Sequence, residues 1–509
     1  MTPLVNLPSA GNAVIRLHED DNVAVARAPL PAGQTLRVDG REIVLRSPVP
    51  YGHKVALTDI AAGAPVVRYS TVIGRVREAV GAGGHVHSHN LVIESGAQTF
   101  DFPDGELEAA APEEGPVFLG YRRPDGRAGT RNYIAILPAS LCAIHACKLV
   151  ARSFPRESLP AGVDGVAVFP HGLGCGMQIG PDTRQLERVI SGILDHPNVA
   201  SSVLLGLGCE VNQITNYLGR DALRDERVVG LTLQESGGTT ATVQAAARAV
   251  SRMIEAAAAM KREEIPASEL MLGLQCGGSD ALSGVTANPA LGACCDRLVR
   301  CGGTAVLAET PETFGAENLL VRRARSRAVA ERYLALVDQY KQYLRPYGST
   351  FDDNPSPGNK EGGLTNILEK SLGAVAKAGA TPMMAAYDYA ERVSARGFVF
   401  MNSPGNDTIS MTGIASGGAN IMAFTTGRGS ANGYPIVPVI KISSNSTTYH
   451  RMRENMDINA GRIADGEATV DEIGREIFEY VLRVASGERT GAERLGHDEF
   501  EPWRIGPTL

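Results

Sequence analysis

Three strand-like apolar runs in this chain each break into glycine beside a cysteine. Leu270 to Leu274 runs into Cys276-Gly277-Gly278-Ser279-Asp280, Val166 to Phe169 into His171-Gly172-Leu173-Gly174-Cys175, and Val203 to Leu205 into Gly206-Leu207-Gly208-Cys209-Glu210. Strand ends of this kind, just before a helix, are where open α/β sheets place ligands. If the three ends converge, Cys175, Cys209 and Cys276 could supply thiolates to Fe²⁺ or Zn²⁺. CxxC spacing is absent, and a cysteine taken singly is most often a small buried packer. Glu210, Asp280 and Glu309, with the histidines, form a harder alternative ligand set. Cys147, Cys294, Cys295 and Cys301 fall inside helix-like patterns, and Cys142 lies close to a helix start.

A second constellation is rich in nitrogen. Gly84-His85-Val86-His87-Ser88-His89-Asn90 alternates imidazoles. Alternate side chains of an extended chain share a face, so His85, His87 and His89 would point one way. With His53 in Gly52-His53-Lys54-Val55-Ala56-Leu57 they read either as a metal or acid/base set or as a solvated loop with incidental histidines. Arg122, Arg123, Arg127 and Arg131 read either as a solvated turn or as a clamp for a carboxylate. Asp353 to Gly363 carries Lys360, carboxylates and amides in a stretch with too much proline and glycine for regular structure, as catalytic loops do. The glycines after Pro170 miss GxGxxG spacing and no Walker-type lysine motif occurs, which argues against a nucleotide site.

Positioning such groups takes more than one core. At 509 residues the chain calls for two to four domains. Residues 1–95 look β-rich, with short apolar runs and Asp39-Gly40 as a hairpin turn. Residues 96–117 are acidic and proline-bearing, the composition of an extended, solvated linker. Strand-like and helix-like segments then alternate through 118–265 and again through 266–509, giving two parallel α/β units. Long amphipathic helices are expected over Arg327 to Leu344 and about Val470 to Ala485. A net charge of -7 without a long basic run argues against nucleic acid as a partner. No apolar stretch approaches membrane-spanning length, the start lacks a signal pattern, and the eight cysteines do not read as a disulfide framework, so cytoplasm is the expectation.

These motifs together resemble the altronate/galactarate dehydratase family, sugar-acid hydro-lyases with an N-terminal SAF (β-clip) domain. The resemblance is carried by Gly52 to Leu57, His85 to Asn90, Gly206 to Glu210, Cys276 to Asp280 with Ser283-Gly284 and Thr286 to Pro289, Asn354 to Lys360, Phe424 to Gly429 and Asp457 to Gly461, in family order and nearly end to end. The histidine run and Ser403 to Asp407 look more like the altronate branch than the galactarate branch. His171 departs from that branch, which has an aromatic before the glycine, so the exact sugar acid stays open. The resemblance implies an α/β protein with a β-clip domain, a linker and two Rossmann-like α/β domains. It further implies a small sugar-acid substrate, a homodimer, no membrane partner, and Fe²⁺ as cofactor, with Mn²⁺ or Zn²⁺ as substitutes. The expected reaction removes water from a hexonate to give a 2-keto-3-deoxy acid. Lys360, His87 and His89 are expected to move protons. Arg131, Arg428, Asn359, Ser279, Asp280 and Asn406 are expected to hold substrate, and Cys175, Cys209 and Cys276 the metal. Alternatives are dehydration of galactarate or another aldarate, sulfite elimination from sulfolactate, and sugar-acid binding without turnover.

Overall fold

Short strands separated by turn residues build the N-terminal module. The computed structural model describes residues 13–93, 99–107, 111–218 and 227–509. Val14–Ile15, Val23–Ala26, Lys54–Ala56 and His85–Val86 form one antiparallel sheet in that order. Thr35–Val38 and Arg41–Val44 pair across Asp39-Gly40, both with positive φ, as a two-residue turn of the strand-matching hand requires. Two small apolar clusters fill the module, one around Leu36, Val49 and Val55, the other around Val66, Ile73 and Val86.

The remaining chain carries two parallel sheets, whose strands are numbered β1 to β11 here. The first holds β1 (Tyr133–Pro138), β2 (Gly165–Val168), β3 (Val199–Gly206) and β4 (Val228–Thr232), in the order β2-β1-β3-β4. The second holds β5 (Met271–Cys276), β6 (Thr304–Leu307), β7 (Met383–Tyr387), β8 (Gly397–Met401), β9 (Ile421–Thr426), β10 (Val439–Ser443) and β11 (Ile458–Asn459). Its order is β7-β8-β6-β5-β9-β10-β11, parallel throughout. Burial on both faces explains strands such as Gly397–Met401, apolar at nearly every position. In the first sheet the chain lays β2 on one side of β1 and then β3 and β4 on the other. In the second it passes from β5 and β6 to the edge strand β7, inserts β8 between β7 and β6, and then lays β9 to β11 on the other side of β5. The reversal falls between β1 and β3 in the first sheet and between β5 and β9 in the second, and such points leave a crevice at the strands' carboxyl ends.

Helices Arg327–Leu344 and Val470–Ala485 form where apolar periodicity places them. The proline-rich stretch departs from expectation. Phe351–Asp353 is a 3₁₀ turn and Pro357–Glu361 a single α-helical turn. Proline at its first position loses no hydrogen bond there, and Asn359 reaches back to Ser356, so the segment is ordered by its own side chains. The linker also departs from a freely solvated tether. Asp101 bonds Asn318, Leu107 N donates to Arg325 O, and Glu113 N donates to Arg300 O, which lays it along the third domain. Among the described residues no helix is long and apolar enough to cross a membrane.

The N-terminal module docks through charge. Lys54 and Arg68 are buried and both grip Glu369, in helix Ile367–Ala374 of the third domain. Lys54 Nζ lies 2.9 and 3.0 Å from the two carboxylate oxygens, and Thr365 donates to Glu369 from its backbone N and its hydroxyl. Burial alone would raise the Glu369 carboxyl, but Lys54 and Arg68 override it and hold it at about 2. Burial also lowers the Lys54 ammonium to about 8. Because Glu369 titrates below the ordinary carboxylate range of ~4.3, its contribution is complete above that range and is lost as pH falls through about 2. Glu369→Gln leaves two buried cations without a counter-charge and is expected to destabilise the docked module by about 3–5 kcal/mol. Urea unfolding with limited proteolysis across residues 94–117 measures it; unchanged midpoint and cleavage would refute the clamp.

Candidate active site

Docking delivers imidazoles to the proline-rich segment. Gly52, with φ +79°, sits so close to that segment that a Cβ there would lie 2.7 Å from Gly362 O. His53 Nε2 is 3.1 Å from Glu361 O, and His53 Nδ1 is 3.0 Å from His85 Nε2. His53, His85 and His87 each present a ring nitrogen within 4.8 Å of the others. Burial lowers all three, His85 to about 4 with help from His53, and His87 to about 3 with help from Lys54. At neutral pH they are therefore uncharged; His53 Nε2–H donates to Glu361 O, so His53 Nδ1 accepts from His85 Nε2–H, a proton that a metal would displace. His87 Nδ1 is buried and has no hydrogen-bond partner. His53, His87, Asp352, Asp353, Lys360 and Glu361 line a cavity of about 620 Å³ between module and segment, ample for a six-carbon acid.

A second cavity, about 540 Å³, opens on the other side of the segment at the carboxyl ends of the large sheet. Its lining includes Gly277, Glu312, Asn354, Asn359, Lys370 and Asp407. Beneath it lies a buried charge network. Lys377 Nζ is 2.8 Å from Cys276 Sγ and 2.7 Å from a Glu309 oxygen; Lys370 Nζ is 2.6 Å from Glu312, and Cys276 Sγ is 3.0 Å from Glu312. Burial, then Glu309 and Glu312, push the Cys276 thiol well above its ordinary value. Burial and Glu312 lift Glu309 to about 7 and Asp407 to about 6. Cys276, Glu309 and Glu312 have ligand atoms within 4.8 Å, yet Lys377 already bonds two of them and Lys370 the third. Two ammonium groups supply the positive charge a metal would bring. The two cavities are joined by contacts: Arg428 pairs with Glu361 at 3.1 Å, and its backbone N donates to Gly278 O at 2.7 Å.

The expected site residues divide accordingly. Lys360 and His87 line the imidazole cavity, while His89 is exposed, its ring 5.1 Å from that of His85. Asn359 and Asn406 line the second cavity, with Asn359 holding Ser279 O at 2.9 Å. Ser279 is buried, and Arg428 is half-exposed beside Gly278. Asp280 is not placed to hold substrate. It is buried and accepts from Ser283, Ser444, Asn445 and the Leu282 backbone, a tie between strand ends. Arg131 is likewise consumed, 1% exposed and bonded to Glu493 and to the carbonyls of Thr130, Val484 and Glu488. The three cysteines do not converge. Cys276 is buried under the large sheet, Cys175 and Cys209 are exposed at the small one, and among the described residues neither joins a trio of ligand atoms within 4.8 Å. Glu312, Lys370 and Lys377 carry no local signal in the sequence, whereas His85 stands among the alternating histidines and Asp407 closes the Ser403 to Asp407 motif.

A doubly wound sheet with charged groups gathered at its switch point, facing a neutral imidazole trio, defines an enzyme that handles a small polar substrate. Residues 12–94 match the altronate/galactarate dehydratase SAF domain, 120–258 the D-galactarate dehydratase/altronate hydrolase second domain, and 267–508 the D-galactarate/altronate dehydratase C-terminal domain. Altronate dehydratase of Bacillus subtilis (strain 168) is 35% identical over 497 residues, 97% of this chain and 99% of the relative. Altronate dehydratase of Escherichia coli (strain K12) is 37% identical over 504 residues, 97% and 99% of the two chains. Galactarate dehydratase (L-threo-forming) of Escherichia coli (strain K12) is 37% identical over 509 residues, 97% of each. The chain belongs to the altronate/galactarate dehydratase family and is a hydro-lyase.

The burial pattern makes a chemical prediction. Iodoacetamide at neutral pH should alkylate Cys142, Cys175 and Cys209 in the folded, iron-free chain and spare Cys276. Peptide mapping by mass spectrometry reads this out, and rapid labelling of Cys276 would contradict the buried network.

Proposed function

We propose that this enzyme dehydrates a sugar acid, an altronate-like hexonate, to a 2-keto-3-deoxy acid in the imidazole cavity, with a divalent ion as cofactor. The observation that carries the reading is the apposition of His53 and His87, with His85 clustered beside them, to Lys360 across one cavity. The residues fit an ion: three uncharged imidazoles present nitrogens to one point, and His87 Nδ1 lacks any other partner. His53, His85 and His87 would hold it. When bound, Fe²⁺ would act as a Lewis acid on the substrate carboxylate and a hydroxyl.

The chain's own groups do the rest. Elimination breaks the C2–H and C3–O bonds, releases water, and leaves an enol whose tautomer is the 2-keto acid. Lys360, on a helical turn braced by the Ser356–Asn359 hydrogen bond, reaches the cavity that the imidazoles line and serves the proton transfers. Docked against Gly362 and Glu361, the β-clip closes the cavity on one side and restricts water. Arg428, paired with Glu361 beside Gly278, is positioned to swing toward a substrate carboxylate.

Lys360→Ala and His87→Ala are expected to lower kcat by about 10²–10⁴-fold. His87→Ala should also release the divalent ion, measured by elemental analysis of anaerobically purified protein. Turnover of altronate, galactarate and sulfolactate, with 2-keto-3-deoxy acid and sulfite assayed separately, identifies the substrate. Near-wild-type turnover in both variants, or sulfite as the product, would overturn this reading.

A further inference from the structure

The rim of the small parallel sheet carries a cluster that dehydration in the imidazole cavity leaves unused. Cys142, Cys175 and Cys209 are the exposed cysteines; the others are buried or half-buried. They follow β1, β2 and β3, which are neighbours in the order β2-β1-β3. Pro138 of β1 pairs with Leu205 of β3, and Cys142 and Cys209 stand at the same offset beyond that pair (142 − 138 = 209 − 205). This is the sheet's switch point, where the fold itself leaves a crevice.

The three cysteine loops are fastened to one another. Leu141 N donates to Leu173 O at 3.0 Å, Asn212 N to Gly174 O at 3.0 Å, and Asn212 Nδ2 to Ala139 O at 2.8 Å. Gly174, with φ +95°, lies so near the first loop that a Cβ would be 2.2 Å from Ala139 O. In the same rim Ser140 is wholly buried and its hydroxyl has no hydrogen-bond partner. Leu141, next to Cys142, and Ile179, four residues after Cys175, are 47% and 83% exposed.

We propose that Cys142, Cys175 and Cys209 hold an iron–sulfur cluster at this rim, leaving one iron without a protein ligand. A single ion would draw the sulfurs closer than the structure has them. With metal–sulfur bonds of about 2.3 Å, thiolates sharing one ion lie roughly 4 Å apart. Among the described residues no trio of ligand atoms within 4.8 Å includes any of these cysteines. A cluster spreads its thiolates wider, because each binds its own iron and sulfide bridges the irons. The iron without a thiolate would accept a carboxylate or hydroxyl oxygen of a small hydroxy acid. Assembly exchanges three thiol protons for iron–sulfur bonds; a mixture of ferrous and ferric iron with sulfide supplies the remaining atoms and the electron count. The proposal does not rest on the imidazole cavity.

The test is anaerobic reconstitution of the full chain with ferrous and ferric iron and sulfide, followed by iron, acid-labile sulfide and visible absorption. The wild type is expected to gain iron and sulfide in equal amounts and a broad charge-transfer band. Cys142→Ser, Cys175→Ser and Cys209→Ser should each lose both, with unchanged far-ultraviolet circular dichroism, while Cys301→Ser keeps them. Iron bound without sulfide, no centre in the wild type, or a centre that survives any of the three rim substitutions would overturn the proposal.

Discussion

One buried carboxylate holds this enzyme's parts in working order. Glu369 meets Lys54 and Arg68 with all three groups essentially removed from solvent. Buried ion pairs of this kind add little net stability, because desolvation offsets most of the attraction. Their consequence is geometric: any other seating of the module would strand two cations or one anion in apolar surroundings. The seating brings Gly52 against Gly362, His53 against Glu361, and His53 and His87 into the cavity that Lys360 lines. Apolar contacts accompany the clamp: Val25 of the module is buried with Ala281 and Leu282, and Leu372 packs against the cluster around Val66.

The large sheet supplies the other half. Its strands end in one crevice, and the residues at or just past their ends build the charged floor: Cys276 at the end of β5, Glu309 after β6, Asn406 and Asp407 after β8, Arg428 after β9. Glu309 adopts a left-handed backbone, φ +67°, which turns its carboxylate back toward Cys276 and Lys377. Such a conformation is unfavourable for a residue with a side chain and persists because the buried salt bridge determines it. Two carboxylates, a thiol and two ammonium groups pair with one another there.

What could be read from sequence was what local patterns determine. Helices Arg327–Leu344 and Val470–Ala485 follow from apolar periodicity, and Asp39-Gly40 from turn chemistry. The alternating histidines marked the imidazole cluster, but only His85–Val86 is extended; His87–Asn90 is a turn, so the trio recruits His53 and leaves His89 outside. The misreadings share a cause. Arg131, Asp280 and Cys276 carry side chains that chemistry could use, but each is claimed by a partner distant in sequence: Glu493, Ser444 with Asn445, and Lys377. No local pattern announces such a partner. The proline-rich segment misled for the opposite reason, since proline at the first helical position and a capping side chain order what composition alone marks as irregular.

The most direct test of the account is anomalous scattering from crystals soaked with Mn²⁺, a hard ion that avoids the cysteine rim, together with a hexonate. The predicted result is an ion among His53, His85 and His87, with sugar-acid density between it and Lys360. An ion lodged instead among Cys276, Glu309 and Glu312, with the imidazoles unligated, would contradict it.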